Sequence, residues 1–262
     1  MAGELLIDEP AEGVRRLTIS NPDKRNALDH AILDAIAHEV AGAGEDVGCL
    51  VLTGAGGMFS SGYDLGGIED DVFAEEAERL VAHPFASALE ALDASDVPIV
   101  AALPGHTIGG GLEVALACDL RIAADGIRLG MPPAKLGLVY SHTGLQRFLD
   151  VVGEARTREL FLLGRTIDAR TALGWGLVNE LALSIELEEA SLAMAGELAA
   201  NAPLSVRGNK RVLRELLRAR GALAPEIEQE LIALRRACFA SEDFREGVRA
   251  FGQKRPARWR GR

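Results

Sequence analysis

Short apolar runs alternate along the chain with longer stretches of helical spacing. Residues 4–8 and 14–19 read as two strands joined by a turn at Glu12-Gly13. Ser20-Asn-Pro-Asp23 breaks that pattern. From Ala27 to Val40, Leu28, Ile32, Leu33, Ile36 and Val40 share one stripe and predict a helix. Residues 49–53 and 97–103 are nearly unbroken apolar runs, as strands buried on both faces require. The first leads into a Gly/Ser-rich loop over 54–67, followed by a helical stretch over 69–92 interrupted near Pro84. The second turns at Pro104-Gly105, and Gly109-Gly-Gly111 opens a helix through Cys118. Residues 120–124 and 128–131 read as short strands. Helices are expected over 143–151, 154–164, 168–174, 186–201, 203–219, 225–239 and 242–251. Strands fill the first half and helices the last quarter. The pattern predicts an α/β body over 1–200 and a helical region over 201–262, with no flexible linker between them.

Composition narrows the class. The 262 residues are 48% hydrophobic and 26% charged, ordinary for a globular chain, and Ala, Leu, Val and Gly carry an interior in which aromatics are scarce. No run approaches the ~18 apolar residues of a membrane span. The acidic start, MAGELLIDEP, lacks the pattern of a signal peptide, so a cytoplasmic protein is expected. Cys49, Cys118 and Cys238 are odd in number and widely spaced, which predicts reduced thiols and no structural metal.

The net charge of −11 hides an asymmetry. Residues 207–262 hold 15 Lys/Arg against 7 Asp/Glu, and the preceding residues hold 13 against 32. An acidic body argues against nucleic acid as a partner. The basic tail has three readings: a solvated helical face, a surface that meets acidic neighbours, or a phosphate site. Val212, Leu213, Leu216, Leu217, Ile227, Leu231 and Leu234 recur at helical intervals, which suggests docked helices.

Both glycine-rich loops follow buried strands, where sites in α/β proteins usually lie. Glycines at 109–111 let backbone N–H groups at a helix start approach a ligand, so an anion or oxyanion site is one reading. A tight turn with close helix–strand packing is the other. GxGxxG, GxxxxGK[ST] and GxSxG are all absent, so neither loop carries a dinucleotide, P-loop or nucleophile-elbow signature.

An ordered series of segments resembles the enoyl-CoA hydratase/isomerase (crotonase) superfamily. It comprises Asn21-Pro-Asp-Lys-Arg-Asn-Ala-Leu28, Phe59-Ser-Ser-Gly-Tyr-Asp-Leu65, Pro98-Ile-Val-Ala-Ala-Leu-Pro-Gly105, Gly109-Gly-Gly-Leu-Glu113, Ala172-Leu-Gly-Trp-Gly-Leu-Val178 and Ser241-Glu-Asp-Phe-Arg-Glu-Gly247. The resemblance implies a spiral of repeated ββα units and a C-terminal helical region that packs homotrimers, often paired into hexamers. It also implies acyl-CoA thioester substrates, with coenzyme A part of the substrate and no separate cofactor. The thioester oxygen would be held by the amides of Tyr63 and Gly110. Many relatives carry Ala at the position of Tyr63. Lys24, Arg25, Ala27, Ser61, Asp64, Leu65, Gly109 and Pro133 match positions lining the substrate and CoA. Phe251 and Lys254 match residues that reach a neighbouring subunit's nucleotide. For Lys24 and Arg25, plain surface charge is an equal reading.

Hydratases of this family use two glutamates. The first is present as Glu113; the second, twenty residues on, is Pro133 here. Losing an acid/base group costs ~10²–10⁴ in rate, so isomerase- or decarboxylase-like chemistry is favoured over hydration. Pro132-Pro-Ala-Lys-Leu-Gly-Leu-Val-Tyr140 and the tail from Arg235 are similar to methylmalonyl-CoA decarboxylase-like members, which carry His in place of Tyr63. Tyr140 then either donates a hydrogen bond in the reaction or anchors the pocket wall. A hydratase and a non-catalytic acyl-CoA-binding protein are the alternatives. His142 is expected at the surface, and Asp119 in a structural cap or pair.

Overall fold

The apolar runs assemble side by side into one sheet. The computed structural model describes residues 2–64, 79 and 81–261, with backbone alone at 81 and 82. Its strands are β1 (Glu4–Ala11), β2 (Val14–Ser20), β3 (Cys49–Gly54), β4 (Ile99–Leu103), β5 (Thr107–Ile108), β6 (Leu120–Ala124), β7 (Arg128–Gly130), β8 (Thr166–Asp168) and β9 (Glu180–Ala182). The main sheet has the order β1-β2-β3-β4-β6-β9, and β5-β7-β8 form a second, smaller sheet. β1 and β2 pair antiparallel across the Gly13 turn. From β2 to β9 the main sheet is parallel. Every residue of β4 is buried, and all but Thr53 of β3, which explains why neither run alternates.

The helices among the described residues are α1 (His30–Ala41), α2 (Ala86–Ala94), α3 (Gly110–Ala117), α4 (Pro133–Leu136), α5 (His142–Arg158), α6 (Ala169–Gly174), α7 (Leu187–Ala200), α8 (Pro203–Gly221), α9 (Pro225–Phe239) and α10 (Glu242–Gly252). The successions β1-β2-α1, β4-β5-α3 and β6-β7-α4 are the ββα units of the expected spiral. α1 buries Ile32, Leu33, Ile36 and Val40. It begins three residues later than its stripe suggests. Leu28 pairs with Tyr63 instead, and Asp29 caps the helix by accepting the Ile32 N–H at 3.0 Å.

Other differences have local causes. The expected break between helices at 151–154 is a single residue, Gly153 at φ +77°, inside α5. The expected helix over 154–164 closes as a π turn at Glu159–Leu163, ended by Gly164 in the left-handed region. The strand expected from residue 97 starts at Ile99. Strands β5, β8 and β9 have two or three residues each, too short for any periodicity to register. The helical expectation over 69–92 is met by a turn at Val81–Phe85 and by α2; its earlier part falls outside the described residues.

The charge asymmetry resolves in how α8 meets the body. Arg207 donates to Val47 O at 3.2 Å, and Lys210 to Val97 O at 2.8 Å and Asp119 Oδ2 at 2.7 Å. Arg214 donates to Ala94 O at 2.7 Å and Asp96 Oδ1 at 3.0 Å. Positions 207, 210 and 214 share one helical face. Of the three readings of the basic tail, these residues follow the one in which cations meet an acidic surface. Asp119 is the structural pair it was expected to be, since it also accepts the Ile99 N–H at 2.7 Å.

Candidate functional site

The two glycine-rich loops are laced together by main-chain bonds. Ile108 N–H donates to Ser60 O at 3.0 Å and Gly109 N–H to Gly130 O at 2.9 Å. The segment before α1 joins from the other side: Leu28 N–H donates to Gly62 O at 2.8 Å, and Asp64 N–H to Leu28 O at 3.0 Å. That bridge uses the groups on either side of Tyr63 and leaves the Tyr63 N–H outside it. Gly110 is the first residue of α3, so its N–H has no intrahelical acceptor. Among the described residues, these two amides come from the two loops where the loops meet.

The glycine triplet is a packing requirement as well. Gly109 sits at φ +58°, a conformation that L side chains seldom adopt. A Cβ on Gly110 would lie 2.8 Å from the Tyr63 ring, and one on Gly111 2.6 Å from Ser60 Cβ. These contacts are those of the close-packing reading of the triplet.

All of α3 is buried, including Glu113. Glu113 Oε2 accepts a hydrogen bond from the Tyr140 hydroxyl at 2.5 Å. Its Oε1 is buried with no hydrogen-bond partner among the described residues. The Tyr140 and Tyr63 hydroxyls stand 3.4 Å apart, so Tyr63, Tyr140 and Glu113 form one chain. The rings are held edge-on, Tyr63 against Phe85 and Tyr140 against Phe161. Burial raises the pKa of Glu113 above the ordinary carboxyl value, partly opposed by the Tyr140 hydrogen bond and the nearby positive charge of Arg147. Both tyrosines are raised well above theirs, chiefly by burial and by the proximity of Glu113. Gly144 leaves room for the pair: a Cβ there would sit 2.6 Å from Tyr140 Cε1 and 2.7 Å from Glu113 Oε1.

Of the other expected residues, several gather at the first loop. Lys24 pairs with Asp64 at 2.6 Å, and Ser61 donates its N–H to Arg25 O and its hydroxyl to Lys24 O. Arg25 is exposed and Ala27 is buried beside them. Pro133 is buried at the start of α4. Phe251 and Lys254 are exposed at the C-terminal end of α10. Leu65 lies outside the described residues. His142 faces Glu228, 3.6 Å away. Among the described residues no group of three or more His, Cys, Asp or Glu could hold a metal. Cys49 and Cys118 are buried, which pushes their thiols up to about 12.

Two supports were not singled out from the sequence. Asn26 is buried with a positive φ; its amide donates to Ala55 O at 2.9 Å and Met58 O at 2.7 Å, and its Oδ1 accepts the Asn21 N–H. It ties the pre-α1 turn to the first loop. An Asn in a turn that also holds Asn21, Pro22 and Asp23 was the available signal. Arg147 makes a two-pronged pair with Asp93, both bonds at 2.7 Å, close enough to act on Glu113. Nothing in the local sequence links residues 54 positions apart.

The fold is thus an α/β spiral in which two glycine-rich loops meet and a buried carboxyl stands in the first turn of the helix that follows the second loop. The family model described as enoyl-CoA hydratase/isomerase matches residues 9–262, and the chain belongs to that family and is an enzyme of it. It is 31% identical to the 2,3-dehydroadipyl-CoA hydratase of Escherichia coli, over 98% of this chain and 99% of that protein. Among solved structures, it resembles methylmalonyl-CoA decarboxylase in complex with 2-nitronate-propionyl-CoA. That match has a TM-score of 0.87 and 26% identity and covers 99% of both chains. It also resembles an enoyl-CoA hydratase/isomerase from Pseudoalteromonas atlantica, with a TM-score of 0.83 and 28% identity over 98% of this chain and 100% of that one.

Proposed function

We propose that this protein is an acyl-CoA enzyme that builds a thioester enolate between the amides of Tyr63 and Gly110 and moves protons through Glu113. The observation that carries this reading is the buried Glu113, bonded to Tyr140 through one oxygen and unpartnered at the other, one turn into the helix whose first amide is Gly110. Negative charge developing on the thioester oxygen meets donors already in place, and each such donor is worth roughly 3–4 kcal/mol of barrier. In double-bond isomerisation, Glu113 as carboxylate takes a proton from the acyl chain. The electron pair moves onto the thioester oxygen, and the proton returns at a different carbon. The raised pKa suits a group that must both take and release a proton. Tyr140 orients the carboxyl through its hydroxyl.

Decarboxylation of a malonyl-type thioester is the second reading. By the family resemblance Pro133, which cannot ionise, stands where hydratases carry a second glutamate, and the likeness to the solved decarboxylase supports this reading. There the C–C electron pair passes to the thioester oxygen as CO₂ leaves, and Glu113 or Tyr140 supplies the proton to Cα. Lys24, Arg25, Ser61 and Asp64 would hold the CoA portion. The exposed Val212, Leu213, Leu216 and Leu217 of α8 support assembly as a homotrimer or a dimer of trimers. A cytoplasmic location belongs to the same reading; no helix among the described residues is long and apolar enough to cross a membrane.

Purified protein assayed against crotonyl-CoA, a 3-enoyl-CoA and methylmalonyl-CoA tests the proposal. Conversion of the second or third, abolished in Glu113→Gln, is expected. Binding without turnover of any thioester would favour an acyl-CoA-binding protein. Rapid hydration of crotonyl-CoA untouched by Glu113→Gln would remove Glu113 from its role.

A further inference from the structure

The chain has only two tyrosines, and both stand in the candidate site. The proposed reaction uses the main-chain amide of Tyr63 and leaves its side chain without a part. That residue is nonetheless held at three points. Its backbone is pinned by the bridge to Leu28. Its ring meets that of Phe85 edge-on, with centroids 4.6 Å apart, and Phe85 is itself buried. Its hydroxyl stands 3.4 Å from that of Tyr140. Tyr140 gives its one hydroxyl proton to Glu113, so Tyr63 is the donor between the two. Behind Tyr140 the edge-on packing continues through Phe161 to Phe148, which is fully buried. Rings packed in this way form a wall with little room to retreat.

The wall stands beside the reacting groups. A Cβ on Gly110 would lie 2.8 Å from Tyr63 Cε1 and 3.1 Å from its Cδ1 and Cζ, so the ring lies over Gly110. Its hydroxyl end reaches Glu113 through Tyr140. Gly110 and Glu113 are three residues apart and share one face of α3. The ring therefore runs along that face from the amide toward the carboxyl. An acyl chain whose thioester oxygen is held at the Gly110 amide must bring its first carbons to Glu113 by the same route. The carbons that follow meet the ring and the aromatic side chains packed behind it. Forcing further methylenes into so well-packed a place is unfavourable.

We propose that the Tyr63 side chain closes the acyl end of the site, so that the enzyme accommodates short acyl groups and not long ones. The inference rests on the enolate reading of the Tyr63–Gly110–Glu113 site and adds to it the substrate class. Tyr63 acts here as a specificity-determining residue through its ring, separately from the amide its backbone lends.

Calorimetric binding of saturated acyl-CoA thioesters tests it on the full-length protein. Acetyl-, butyryl-, hexanoyl- and octanoyl-CoA lack the double bond or second carboxyl that the proposed reactions need. In a site with room, each further buried methylene strengthens binding by about fourfold. In wild type that gain is expected to end at butyryl, with octanoyl no tighter. In Tyr63→Ala it should continue, so that octanoyl binds about tenfold or more tighter than butyryl. Tyr63→Leu, a smaller opening, should show part of the same gain, and Tyr63→Phe, which keeps the ring, should keep the wild-type profile. An affinity that climbs to octanoyl in wild type, or the wild-type profile in both Tyr63→Ala and Tyr63→Leu, overturns the proposal and leaves the enolate reading standing. If wild type binds none of the thioesters, both fall together.

Discussion

Helices α3 and α8 solve opposite problems with the same backbone. All eight residues of α3 are buried, whereas none of the nineteen in α8 is. A helix apolar on every side can only be stable inside a core, and α3 has one exception, Glu113. Keeping a carboxyl in a dry interior disfavours its charge, so under the proposed mechanism the position serves chemistry at the expense of stability. α8 reverses this arrangement. It has a polar and an apolar stripe, and long cationic side chains tie it to carbonyls and carboxylates of the body. Burial by itself therefore does not identify what holds a helix in place. For α3 it is the sheet and the loops packed around it; for α8 it is Arg207, Lys210 and Arg214.

Removing the one charge from α3 should have the largest effect. Glu113→Gln is expected to lower kcat by about 10²–10⁴, read by turnover of the thioester that wild type converts. The same variant makes a pH prediction. Because burial raises Glu113 above its ordinary value of 4.5, the folded chain keeps this proton after the unfolded chain has released it. The stability linked to Glu113 is complete below 4.5 and declines as pH rises through its folded value. Gln has no such decline, so the stability difference should shift in favour of Glu113→Gln as pH rises. Denaturant melts at a series of pH values measure it, and a shift in the opposite direction would contradict burial as the cause.

Disturbing the geometry beside α3 while keeping its charge comes next. Gly144→Ala places a Cβ against both Tyr140 and Glu113 and should cost on the order of 10² in kcat, as misplacement of a reacting group typically does. At α8, Lys210→Met removes bonds to Asp119 and Val97 O. It should destabilise the fold by about 1.5–3 kcal/mol while turnover per folded molecule stays constant; denaturant melts and activity on the same samples separate the two. The smallest effect is expected on α8's apolar stripe. Leu216→Gln, at a position 59% exposed, should stay within about 0.5 kcal/mol in subunit stability and weaken self-association, read by sedimentation. An unchanged association state would remove the stripe from the proposed trimer contact.

Much of this was legible along the chain. The runs over 49–53 and 97–103 became β3 and β4 because an unbroken apolar segment has no alternative to burial on both faces. The stripe Ile32, Leu33, Ile36, Val40 marked α1's inner face, although Leu28, at the same spacing, went to the bridge with Tyr63. Glu113 was singled out through the family resemblance, by its place after the glycine triplet. Its bond to Tyr140 was not readable, since two residues 27 apart carry no mark of contact. No sequence signal named Arg147 as the partner of Asp93 or Lys210 as the partner of Asp119, and the turn position of Asn26 did not say which carbonyls it would reach.

The order of strands and helices, the buried runs, the turn-forming glycines and the presence of one carboxyl without a second at position 133 follow from the residues alone. Periodicity, backbone freedom and side-chain identity are local properties that a chain carries with it. Which hydroxyl meets Glu113, which carbonyls receive the basic face of α8, and which carboxylate Arg147 grips depend on segments distant in sequence packing together. Those meetings exist only once burial has brought the segments to one place, and no local pattern of residues encodes them.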